Sequence, residues 1–134
     1  MKRHEALQDL SREHHLALKL ALHGRRAIAS GDPGQITAAA NACAEAFGSE
    51  LGPHFVREET DVLPLLAQAG ETALVQRTLN EHAELRSLAA RLLDADMTAL
   101  ERFVELLGAH VRFEEQELFE AAQTCLDLGK PRQK

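Results

Sequence analysis

Residues Phe47–Leu63, FGSELGPHFVREETDVL, decide the fold because the chain states them twice. Residues Phe103–Phe119, FVELLGAHVRFEEQELF, align with them without a gap, fifty-six positions later. The alignment pairs Phe47 with Phe103, Leu51 with Leu107, Gly52 with Gly108 and His54 with His110. It also pairs Glu58 with Glu114, Glu59 with Glu115 and Asp61 with Glu117, and apolar residues close both copies. Residues four apart on a helix share a face, so each copy aims an imidazole and a carboxylate at one place. A Phe seven residues before each His and a Leu three before it lie on that same face. Two such copies in register read as the two halves of a metal site.

Outward from the motifs, Gly and Pro divide the chain into four helices. The first is expected over Arg3–Ser30 and stops at Ser30-Gly31-Asp32-Pro33-Gly34. Asp32 and Pro33 then open the second helix as cap and first residue. That helix carries the first motif to Gln68, ahead of Gly70. Pro53 within it removes an amide donor and crowds the carbonyl of Ser49, which predicts a kink beside His54. The third helix is expected over Glu71–Leu93. Asp96 caps the fourth, which carries the second motif and ends near Gly129. Residues 130–134 read as a solvated tail. Four helices joined by short turns predict an all-α, up-down-up-down bundle, one domain over residues 1–129.

At about 100° per residue, Leu7, Leu10, Leu18, Ala21 and Ile28 fall within about 40° of His14, whereas His15 lies at the margin of that stripe. On the third helix His82 is centred among Val75, Thr78, Ala89 and Leu93. Each lone His follows a Glu, as Glu13-His14 and Glu81-His82. The chain is therefore two helical hairpins, each giving one lone His and then a His-x-x-x-Glu pair.

The bulk composition agrees. The chain has 134 residues, 45% hydrophobic and 27% charged, with only 4% aromatic and neither Trp nor Tyr, a balance that favours helices. A net charge of −6 argues against nucleic acid as a partner. The first residues form no apolar signal segment, and no run approaches the roughly 18 apolar residues of a membrane span. Cys43 and Cys125 make no disulfide framework and point to a reducing cytoplasm. In the expected bundle they stand roughly 39 Å apart along parallel helices, too far to bridge.

Burying His14, His54, His82, His110, Glu58 and Glu114 in a bundle core is costly unless a metal or a partner satisfies them. Imidazole and carboxylate ligands suit iron or manganese, and zinc also accepts them. The order His, then His-x-x-x-Glu, repeated once, resembles the hemerythrin-like HHE cation-binding domains over nearly the whole chain. The resemblance implies a four-helix bundle around a non-haem di-iron centre bridged by oxo and carboxylate groups. Carried over by position, the ligands are His14, His54 and Glu58 from the first hairpin, with His82, His110 and Glu114 from the second. Where oxygen-carrying hemerythrin has a further His, four residues after the first of its third helix, this chain has Arg86. The four-His, two-Glu set is closer to the metal domain of bacterial iron-centre repair proteins linked to nitrosative stress.

Glu59 and Glu115 lie about 140° from the His of their own motif and, with Asp61 and Glu117, read as solvated or salt-bridged face residues. His4 and His23 read as surface residues, Phe47 and Phe103 as core, and Gly52 and Gly108 as points of close helix contact. Arg86 reads either as a snorkelling charge at the bundle edge or as a cation beside an open metal position. The functions these features leave open are a di-iron protein that binds or reduces dioxygen, peroxide or nitric oxide, a di-iron sensor, and an iron-handling or iron-centre repair module. A metal-free helical interaction domain is the fourth. Without Tyr or Trp, an electron relay falls to the metals or to an electron-donor protein.

Overall fold

The computed structural model describes residues 3–94 and 96–129, so the expected tail and Ala95 lie outside the described residues. Four antiparallel rods form the bundle, and no strand occurs among the described residues. The first rod is α1, Glu5–Ser30. The second is built from α2 (Pro33–Ala46), α3 (Gly52–Arg57) and α4 (Leu63–Gln68), separated by π-helical turns at Phe47–Leu51 and Glu58–Val62. The third rod is α5, Thr72–Leu92. The fourth joins α6 (Met97–Phe113) to α7 (Phe119–Gly129) through a π-helical turn at Glu114–Leu118. The first rod packs on the second and fourth, and α5 packs on the same two from the other side.

The rods begin and end where the residue types require. The Asp32 carboxylate accepts the Gln35 amide at 2.9 Å and Asp96 accepts that of Ala99 at 3.0 Å, so both expected caps form. Gly31 closes α1 at φ 68° and Gly70 turns between the hairpins at φ 85°, conformations that a side chain would strain. His4 is a half-buried cap rather than a surface residue. Its ring accepts the Ala6 amide at 3.0 Å, and its own amide donates to Gln123.

The expected kink at Pro53 takes the form of a π turn. The Gly52 amide donates to Phe47 O, one residue further back than in an α-helix. Pro53 therefore sits in the first turn of α3, where a missing N–H is tolerated. The equivalent stretch Phe103–Leu107 has no proline and runs as α-helix. The other two π turns have a different origin. They begin at Glu58 and Glu114 in both copies, and only the first is followed by a proline.

Two expectations of burial fail at the helix margins. Leu18 is 40% exposed, and Leu93, one residue past the end of α5, is 73% exposed. Of the two glycines expected at close helix contacts, one faces a neighbouring rod. A Cβ on Gly52 would meet its own rod at Phe47 O, whereas one on Gly108 would meet the flexible Arg25 guanidinium of α1, at 2.6 Å, and Arg112 Nη1 at 3.5 Å. A Cβ on Gly24, by contrast, would overlap Val104 Cγ1 across the α1–α6 contact. Ala in a helix interior gains about 1 kcal/mol over Gly, but overpacking typically costs about 1–3 kcal/mol. Gly24→Ala is therefore expected to lower the urea midpoint, and adding Val104→Ala to relieve the overlap. A midpoint raised by Gly24→Ala alone would show slack in this contact.

The core is divided in two. One apolar cluster includes Leu51, Phe55, Leu85, Leu92, Leu100, Phe103 and Leu107. The other includes Leu7, Leu10, Leu66, Phe113, Leu118 and Phe119. Phe103 is buried as expected and Phe47 half-buried. The polar residues of the two motifs form a layer between the clusters.

Candidate metal centre

Each motif is delivered to that layer by helical spacing. His54 and Glu58 on the second rod, and His110 and Glu114 on the fourth, each lie four residues apart. His14 and His82 enter from α1 and α5. All six residues are at most 4% exposed, and both glutamates are fully buried. His15 and His23 are exposed, as expected.

The four Nε2 atoms face inward onto the two carboxylates. Glu58 Oε2 stands 3.1 Å from His54 Nε2 and 3.9 Å from His14 Nε2, while its Oε1 stands 3.0 Å from His82 Nε2. Glu114 divides itself the same way. Its Oε1 is 2.8 Å from His14 and 4.0 Å from His54; its Oε2 is 3.0 Å from His110 and 3.6 Å from His82. Two ligand groups result: His14, His54, Glu58 and Glu114, and then His82, His110, Glu58 and Glu114. Within each group the candidate ligand atoms lie within 4.8 Å of one another. Each carboxylate is common to both groups and presents one oxygen to each.

Buried polar atoms normally have partners, and leaving them without one is costly. Here His54 Nε2, His82 Nε2, His110 Nε2, both oxygens of Glu58 and Glu114 Oε2 are buried with no hydrogen bond. Unpartnered nitrogen and oxygen atoms converging from three rods, with His14 Nε2 of the fourth held only by Glu114 Oε1 at 2.8 Å, are what a pair of cations would satisfy, so the residues fit a metal centre.

The outward ring nitrogens are all accounted for. His54 Nδ1 meets Glu13 at 2.7 Å, His82 Nδ1 meets Glu59 at 2.7 Å, His110 Nδ1 meets Glu81 at 2.6 Å and His14 Nδ1 meets Glu115 at 2.6 Å. In each link Nδ1–H donates and the carboxylate accepts, which leaves Nε2 free to ligate. The links close a ring, since every rod supplies one carboxylate and one outward imidazole nitrogen to its neighbours. Glu59 and Glu115 are salt-bridged, as expected, to Arg86 and Arg3, and in addition are half-buried acceptors for imidazoles on neighbouring rods. Asp61 and Glu117 are exposed, as expected.

Electrostatics follow from this packing. Burial opposes charge on the imidazoles, but Glu114 and Glu58 outweigh it, and His54 and His110 are each pushed up to about 10. Glu58 is raised by full burial and by Glu114 beside it. Burial also lifts Glu114, yet His110, His14 and His54 hold it well below the ordinary carboxyl range. Burial lifts Glu13, Glu59, Glu81 and Glu115 as well, but their Arg and His partners prevail and hold all four below the ordinary value of 4.5. Apolar rings cover the imidazoles: Phe55 stacks on His82 at 4.0 Å between centroids and Phe119 on His14 at 5.2 Å.

Compared with family models, residues 6–122 match the hemerythrin HHE cation binding domain. The chain belongs to this family. Comparison with curated proteins and with solved structures returned no match. The hemerythrin match spans both motifs and all six inward side chains, in agreement with the four-helix bundle and with a metal-binding layer. No helix among the described residues is long and apolar enough to cross a membrane.

Arg86 lies at the bundle edge, its side chain 39% exposed. Its guanidinium forks onto Glu59, at 2.8 and 3.0 Å, and so backs the acceptor of His82. Helix phase favours His14 over its neighbour, and His14 is buried where His15 is exposed. His14→Ala is expected to lower metal content and His15→Ala to leave it at the wild-type level, as read by metal analysis of the purified variants. The reverse order would mean that α1 is rotated in solution.

Proposed function

We propose that this centre holds two iron ions and that the protein binds or reduces a small oxidant: dioxygen, peroxide or nitric oxide. The observation that carries the reading is the division of each buried carboxylate between two ligand groups, one oxygen to each. Glu58 and Glu114, with His14 and His54 in one group and His82 and His110 in the other, would hold two ions and use every inward atom. Mixed imidazole and carboxylate ligands favour iron or manganese over softer metals, though zinc also accepts them. Iron held by so few protein ligands supplies an open position and electrons for a small oxidant.

The chain's own part is to hold and to exclude. Glu13, Glu59, Glu81 and Glu115 fix the orientation and tautomer of the four imidazoles. The apolar clusters above and below keep bulk water from the layer. With neither Trp nor Tyr in the sequence, electrons for turnover would come from a donor protein. The free thiols, Cys43 buried and Cys125 half-buried, suit a reducing cytoplasm.

The test is anaerobic reconstitution with ferrous iron, followed by metal analysis and an optical spectrum before and after each oxidant. The expected result is two irons per chain and a spectrum altered by at least one oxidant. A stoichiometry near zero would overturn the metal assignment. Two irons with a spectrum that none of the three oxidants alters would overturn the oxidant assignment.

A further inference from the structure

We propose that Arg57, Arg77 and Arg86 are positioning residues of this centre, each holding one carboxylate against one imidazole. The links they back are Glu13 to His54, Glu81 to His110 and Glu59 to His82. Arg57 places one terminal nitrogen against both oxygens of Glu13. Arg77 donates from Nε to Glu81 at 3.0 Å while its guanidinium lies 3.9 Å over the ring of Phe113. Arg86 grips Glu59 with two parallel bonds. The remaining link, Glu115 to His14, is met by Ser11 at 2.7 Å and by Arg3 at 3.2 Å.

These carboxylates need holding because they stand at the rim of the layer. Their side chains remain 34% exposed at Glu13, 24% at Glu59 and 16% at Glu81, whereas the imidazoles they face are at most 3% exposed. A glutamate so placed is free to swing toward water. Its imidazole would then lose the acceptor that keeps the proton on Nδ1 and the lone pair of Nε2 pointing inward. A guanidinium across the carboxylate blocks that rotation, and a planar fork does so with little loss of freedom.

The arginines occupy unrelated positions in the repeat. Arg57 belongs to the first motif, but Phe113 takes its place in the second, and there Arg77 reaches in from α5 across that same Phe113. Arrival at the same link from different positions shows that the support is not a by-product of the duplicated sequence. Arg102 supplies the contrast. It pairs with Glu84 at 2.7 and 3.2 Å just as closely, yet Glu84 meets no imidazole.

The inference rests on the metal-binding reading only for its effect on affinity, so it is tested in two arms. In metal-free, ¹⁵N-labelled protein the hydrogen-bonded Nδ1 protons of the four inward histidines are followed by their exchange with water. Arg86→Ala is expected to speed exchange at His82 alone, Arg86→Lys to recover part of the protection, and Arg102→Ala to change none of the four. In the second arm, cobalt(II) titration is expected to show affinity weakened about tenfold in Arg86→Ala, the lower end for outer partners of metal ligands, and unchanged in Arg102→Ala. Exchange at His82 and cobalt affinity both unaltered in Arg86→Ala would overturn the proposal. So would equal losses in Arg86→Ala and Arg102→Ala, which would reduce these arginines to general inter-rod staples. If the wild type binds no cobalt, the metal reading fails, while the exchange arm still decides the role of the arginines.

Discussion

Replacing Glu114 with glutamine is expected to take the metal content from the proposed two ions per chain to near zero, whereas His110→Ala is expected to leave about one. The difference follows from how the ligand groups share their atoms. Glu114 turns one oxygen to His14 and the other to His110, so it belongs to both groups. His110 belongs only to the second. Glutamine keeps the shape of the side chain but loses its charge, and its amide nitrogen cannot replace a bridging oxygen. Glu58→Gln is expected to match Glu114→Gln, because Glu58 is divided in the same way. Metal analysis after anaerobic reconstitution reads all three variants. Equal losses in His110→Ala and Glu114→Gln would mean that the two positions fill only together.

Stripping the metal is expected to lower the melting temperature by about 10 °C or more. Among the described residues six buried nitrogen and oxygen atoms have no hydrogen-bonding partner, and ions bound there stabilise the folded state alone. At free metal about 1,000 times above its dissociation constant, one site adds about 4 kcal/mol. For a chain of this size each kcal/mol moves the midpoint by about 3 °C. The metal-free protein is still expected to melt as a helical bundle, since two apolar clusters and the four outer links do not depend on the ions. Calorimetry with and without a chelator measures the difference. Equal midpoints would show that the inward atoms find other partners.

What the sequence disclosed depended on whether a contact lies within one helix or between two. His54 with Glu58 and His110 with Glu114 are spaced along their own helices, so their common face could be read directly. The apolar stripe picked His14 over His15 for the same reason, and Asp32 and Asp96 announced themselves as caps. Glu59 and Glu115 are salt-bridged to Arg86 and Arg3, as the sequence allows, but their imidazole contacts are not legible there, because a helical wheel measures an angle only against the residue's own rod. Their imidazole partners, His82 and His14, stand on neighbouring rods. A signal was present: Glu-Glu occurs in both motifs, and a Glu directly precedes each lone histidine. The pairing of the four outer carboxylates could have been suspected from that doubling alone. The π turns at Glu58 and Glu114 left no comparable trace, since no residue type demands them as glycine demands a left-handed turn. Leu18 and Leu93 show the limit of phase at a helix margin, and Gly24 shows that close approach depends on what the opposing rod presents.

The ring of outer links also bears on chain connectivity. Two of its links, Glu13 to His54 and Glu81 to His110, stay within a hairpin; the other two, Glu59 to His82 and Glu115 to His14, cross between hairpins. The crossing links require a first hairpin and a second one, and nothing in them requires that both come from the same molecule. Two chains that exchanged hairpins would complete two identical centres with every link intact, the situation in which domain swapping carries little cost. The turn around Gly70 is the covalent connection between the hairpins, and its left-handed backbone lets α5 fold back directly onto α4. That one turn, remote in chemistry from any ligand, decides whether the centre is built by one molecule or by two.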